Sequence, residues 1–144
     1  MRRTMRALIA VLIGLTAAIG AGTPAFASDT AIDTVAAHST GGTAVRVTGT
    51  LVWYNRSAGF RDMDIFCRAD HNCLAVVTFY SIEAGNLQQE CRLSIPIRTY
   101  ANSVTQHEDD YTCSVTDRAY TIWHVQVEAR DVTHDIRHNQ SLDR

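Results

Sequence analysis

Lysine is absent from this chain of 144 residues; all thirteen of its cations are arginine. A GC-rich coding sequence is the simple explanation expected for that bias, which carries no mechanism. No basic surplus exists either, the formal net charge being −2. Nucleic-acid binding, which wants a basic face, is therefore disfavoured. The longest uncharged apolar run, residues 7–19, falls short of the roughly 20 residues a membrane helix needs. No amphipathic helix pattern and no internal repeat are visible. No G-x-S-x-G marks a nucleophile elbow.

What is present begins with an export signal. Arg2, Arg3 and Arg6 precede the apolar run, and Ala25-Phe26-Ala27 forms an A-x-A site before Ser28. The rest of a twin-arginine motif is missing, so general secretion is expected, with residues 1–27 removed. The absence of a cysteine at the cleavage site argues against a lipid anchor. The remaining 117 residues suit one domain and hold ten arginines against fifteen acids, a net charge of −5. The expected location is extracellular.

Four cysteines follow: Cys67, Cys73, Cys91 and Cys113. An even count in an exported domain reads as two disulfides, with three possible pairings. Cys67–Cys73 with Cys91–Cys113 is favoured, because the first pair encloses only a polar turn and the second ties one strand pattern to the next. The spacing lacks the C-x₂₋₄-C pairs of a structural zinc site.

From residue 44 onward the hydrophobic period is two. Val45, Val47, Leu51 and Trp53 mark one face of a first strand. Met63, Ile65 and Cys67 mark a second, opposite Phe60, Asp62, Asp64 and Phe66. Residues 74–82 form a continuous β-prone run, expected to be a central strand. Cys91, Leu93, Ile95 and Ile97 alternate, with Pro96 pointing to an edge or a bulge. Short and long strands follow around Tyr111–Val115 and Thr121–Ala129, the latter with Trp123, Val125 and Val127 facing inward. The expected fold is all-β, an antiparallel sandwich or open barrel of about six to seven strands stapled by two disulfides. The domain is assigned to residues 44–131, between a flexible N-terminal arm (28–43) rich in Ala, Ser, Thr and Gly and a polar C-terminal tail (132–144).

Candidate chemistry is sparse. His134 and His138 have the two-histidine spacing of a zincin helix, with Asp135 in place of the general-base Glu. They sit in a polar stretch without a helix pattern and read as solvated. Asp62, Asp64 and Asp70, with His71 and Asn72 beside the last, offer oxygen ligands of the kind calcium takes, though no known calcium-loop pattern is matched. Tyr54, Phe60, Tyr120 and Ile122, with Phe66, fall on faces opposite the assigned core, where an exposed apolar patch would mark a binding surface.

The A-F-A signal end, the strand ending Trp53-Tyr54-Asn55-Arg56-Ser57, the Cys67–Cys73 turn and the Val-rich strand after it together resemble, in layout, small exported actinobacterial proteins, a group largely uncharacterised. The resemblance implies class and compartment and transfers no active site. Actinomycete inhibitors of α-amylase and of subtilisin share the size and the two disulfides. The amylase inhibitors' Trp-Arg-Tyr triplet and the subtilisin inhibitors' reactive loop are both missing here. The expected function is thus a secreted, non-catalytic β-sandwich that binds an extracellular protein or glycan through Tyr54, Phe60, Tyr120 and Ile122, with no cofactor. The alternatives are a small secreted hydrolase or metal-dependent enzyme using His71 or His124, and an inhibitor of an extracellular hydrolase.

Overall fold

The computed structural model describes residues 28–115 and 121–144. Residues 1–27, assigned above to the signal, and Tyr120 lie outside the described residues. Among the described residues nine strands run β1 (Ser28–Ala37), β2 (Thr43–Trp53), β3 (Ala58–Cys67), β4 (Asn72–Glu83), β5 (Asn86–Arg98), β6 (Val104–Glu108), β7 (Tyr111–Cys113), β8 (Ile122–Asp131) and β9 (Ile136–Asp143). No helix occurs among the described residues, and none is therefore long and apolar enough to cross a membrane.

The strands form two antiparallel sheets packed face to face. One has the order β1-β2-β3-β6, with β7 also pairing β3; the other has the order β5-β4-β8-β9. Val45, Val47, Leu51, Met63 and Ile65 from the first meet Val77, Phe79, Val125 and Val127 from the second, all buried. Each such side chain contributes roughly 1.5–3 kcal/mol by leaving water. β4 is an internal strand, as its continuous apolar run implies, and even Val76 and Thr78 on its outer face are buried. β5 is an edge strand, where Pro96 costs no ladder hydrogen bond. The disulfides are Cys67–Cys73 and Cys91–Cys113. Both run between the sheets, the first from the end of β3 to the start of β4, the second from β5 to β7.

Three strands exceed the sequence expectation. The segment read as a flexible arm contains β1, which pairs along β2 from Ser28↔Trp53 to Ala37↔Thr43 and buries Ile32, Thr34 and Ala36. The segment read as a polar tail contains β9, paired along β8 from Asp131↔Ile136 to His124↔Asp143. Residues 104–108, which the apolar alternation passes over, form β6, an edge strand on β3. The sandwich thus spans residues 28–143 rather than 44–131. Gln140 of β9 joins the first and last strands across the sheets. Its Oε1 accepts Asp33 N–H (3.0 Å) and the buried Thr34 hydroxyl (2.9 Å), and its Nε2 donates to Ala31 O (3.3 Å).

Two bulges change which residues face the core. Thr48 pairs with Asp64 and Thr50 with Arg61, so Asp62 and Met63 together oppose Gly49. Asp62 takes a positive φ of 50° there, and a Cβ on Gly49 would stand 3.1 Å from the Met63 Cα. On β8, Tyr80 pairs with His124 and Ser81 with Ile122, leaving Trp123 as the extra residue. Each insertion reverses the inward–outward alternation beyond it. Phe60 and Ile122 are consequently buried in the core, while Trp123 is 45% exposed, under the Arg144 guanidinium (5.9 Å).

A candidate metal centre at one end of the sandwich

Four ligand-type side chains converge where three connections meet at one end of the sandwich. His38 lies in the β1–β2 turn, closed by His38 N–H to Gly42 O and Gly41 N–H to His38 O, both 2.9 Å. Gly41 supplies the positive φ of 86° that this reversal requires. His71 lies in the Cys67–Cys73 loop. That loop is held by Asp70 N–H to Tyr100 O (2.7 Å), Thr99 N–H to His71 O (2.9 Å), and His71 N–H to the buried Thr99 hydroxyl (3.0 Å). The same hydroxyl also donates to Arg68 O. Asp131 closes β8, and His134 follows it in the β8–β9 turn, where Asp135 takes a positive φ of 52°. Val132 N–H to Asn72 O (2.7 Å) and Asn72 N–H to the Thr133 hydroxyl (2.8 Å) lock that turn against the disulfide loop.

The geometry is convergent. His38 Nε2 and His71 Nε2 are 3.1 Å apart. Asp131 Oδ2 stands 3.7 Å from His38 Nε2, 3.5 Å from His71 Nε2 and 2.8 Å from His134 Nδ1. All four ligand atoms lie within 4.8 Å of one another. A tetrahedral zinc ion with bonds of roughly 2.0–2.1 Å places its ligands about 3.3 Å apart, in the middle of the observed spread. Three imidazole nitrogens and one carboxylate oxygen form a zinc-type set, too nitrogen-rich for calcium or magnesium.

The surrounding hydrogen bonds aim these atoms inward. His71 Nδ1 faces the Ala69 carbonyl at 2.6 Å. A carbonyl only accepts, so Nδ1 carries a proton, and Nε2 is the ring nitrogen turned toward the cluster. Asp131 is fully buried; its Oδ1 accepts Thr133 N–H (3.0 Å), which leaves Oδ2 for the three histidines. Among the described residues no arginine neutralises that carboxylate. A buried carboxylate demands a compensating charge, and a cation at the centre of the cluster would supply it. His134, with its side chain 47% exposed, stands at the outer rim.

The sequence candidates fare differently. His134 belongs to the cluster, but its zincin partner His138 does not, because His134 sits in the 132–135 turn and His138 already lies in β9, with no helix to put them on one face. Asp62, Asp64 and Asp70 do not converge. Asp62 sits at the β3 bulge, Asp70 lies in the disulfide loop, and Asp64 Oδ1 bonds His107 Nδ1 at 2.8 Å. That hydrogen bond holds His107 above the ordinary imidazole range, with the charges of Asp64, Asp62 and Asp109 adding to it. His124 pairs instead with Asp143 (2.6 Å), toward the opposite end of β8. The aromatic patch loses Phe60 and Ile122 to the core, and Tyr54 is half-buried with its hydroxyl bonded by Arg61 (3.0 Å). Sequence reasoning missed His38 and Asp131 entirely. Asp131 and His134 at i and i+3 are the one local trace of the site.

Beside the cluster opens a groove of about 600 Å³, bordered by His38, Thr40, Arg68, Asp70, His71 and His134. A second groove of similar volume, about 620 Å³, is lined largely by Leu74, Pro96, Ile97 and Val132 and offers no comparable chemistry. In comparisons with protein-family models, curated proteins and solved structures, the chain matches none.

Proposed function

We propose that this is an exported, disulfide-stapled β-sandwich that binds one divalent transition-metal ion of the zinc type. The ligands are His38 Nε2, His71 Nε2, His134 Nδ1 and Asp131 Oδ2. The observation that carries the reading is the convergence of these four atoms within 4.8 Å around a fully buried carboxylate. Export is supported by the signal-like first 27 residues and fits two disulfides. An extracellular protein or glycan partner would have to meet a surface other than the aromatic one named from sequence, since two of its four residues are core.

The test is metal content. Protein stripped with a chelator, loaded with zinc and desalted should retain one ion per chain by elemental analysis. Titration calorimetry should show His71→Ala weakening zinc binding by about a hundredfold or more, while His138→Ala leaves it unchanged. Substoichiometric retention in the wild type, or equal affinity in a folded His71→Ala variant, overturns the proposal.

A further inference from the structure

The groove beside the cluster carries one arginine, Arg68, on its wall. Arg68 follows Cys67 at the end of β3, and its backbone is fixed by Arg68 N–H to Ala44 O (2.9 Å). Among the described residues its guanidinium forms no ion pair or hydrogen bond. It lies instead across Gly42 in the β1–β2 turn. A Cβ at position 42 would stand 2.6 Å from Arg68 Nη1. Glycine there gives the guanidinium its resting place on the same groove wall as His38, whose own N–H bonds Gly42 O.

Resting on the metal reading above, we infer that the ion-loaded centre takes a small oxyanion, a carboxylate or a phosphate, with one oxygen on the metal and another on the Arg68 guanidinium. Charge supports the order of events. Counting the histidines as neutral, the single positive charge of Arg68 stands beside two carboxylates, Asp70 on the groove wall and Asp131 in the cluster, a sum of one negative charge; a divalent ion makes it one positive charge. Anion binding is thereby conditional on metal. Approach comes from the groove side, where His134 is the most exposed ligand. A four-coordinate zinc ion can expand to five ligands, and a guanidinium presents a planar fork matched to carboxylate and phosphate oxygens.

The experiment is calorimetric titration of zinc-loaded, desalted protein with sodium acetate and, separately, with inorganic phosphate, in wild type, Arg68→Gln and Gly42→Ala. Zinc affinity is measured in parallel for each. The expected result is saturable binding of at least one anion to the zinc-loaded wild type and none to the stripped protein. Arg68→Gln should weaken that binding about tenfold or more, and Gly42→Ala, which displaces the guanidinium, should weaken it as well. Zinc affinity in Arg68→Gln should stay the same or tighten slightly, a neighbouring cation having gone. The anion that binds more tightly identifies the class of physiological ligand. If zinc binds normally but neither anion does, or if Arg68→Gln binds the anion as wild type does, the inference alone fails. If zinc itself fails to bind, the metal reading fails and takes this one with it.

Discussion

At residues 122 and 123 the larger side chain is the less important one for stability. Trp123 is the extra residue of the β8 bulge and stands half in water, whereas Ile122 is fully buried. Ile122→Ala should cost about 2–5 kcal/mol, the range for truncating a core aliphatic. Trp123→Ala should cost about 1 kcal/mol or less, as expected of an exposed residue whose contact is a cation–π pair. Urea denaturation of both variants checks this, and a Trp123→Ala cost equal to that of Ile122→Ala would contradict the bulge. The pair also shows where period-two reading stops. Val125, Val127 and Ala129 face the core as alternation requires, and so do Met63, Ile65 and Cys67. Phe60 and Ile122 lie on the far side of an inserted residue, and parity cannot register an insertion. At β3 the only trace is a glycine at position 49, facing the bulge at 3.1 Å.

Among the elements, the strands legible in the sequence are those that carry several bulky apolar residues at alternate or successive positions. β1, β6 and β9 lack that signature. β1 buries one large aliphatic, Ile32, beside Thr34 and Ala36; β6 and β9 are edge strands with mostly polar side chains. Their order comes from pairing with neighbours far along the chain, which local composition does not encode. Gln140 concentrates this dependence, since its side chain hydrogen-bonds Ala31, Asp33 and Thr34 of β1 from β9. Gln140→Ala would strand the Thr34 hydroxyl, which is fully buried. Leaving such a group without a partner costs about 1–3 kcal/mol. The expected outcome is an unfolding free energy lowered by that amount in urea denaturation, with amide exchange accelerating first along Ser28–Ala37. Gln140→Glu keeps an acceptor for the Thr34 hydroxyl and should lose less. Unchanged exchange in β1 after Gln140→Ala would mean that the β1–β2 ladder alone orders the strand.

On the scale of the whole molecule, the metal centre is a second fastening of the same end that Cys67–Cys73 closes. His38 comes from the first sheet, Asp131 and His134 from the second, and His71 from the loop between them. No window of the sequence contains the four together, and only the closed sandwich does. Ligands read from a sequence are neighbours along the chain, whereas these four are neighbours in space. A site assembled by folding is absent from the unfolded chain, so binding free energy becomes folding free energy. Zinc at a hundredfold excess over its Kd should add about 2.7 kcal/mol, raising the unfolding temperature of a domain this size by about 10 °C. Thermal denaturation followed by circular dichroism, with and without zinc, measures this directly. The increment should grow with zinc concentration, vanish on adding EDTA, and be missing in His71→Ala. The same shift in His71→Ala as in wild type would locate the stabilising ion somewhere other than between the two sheets.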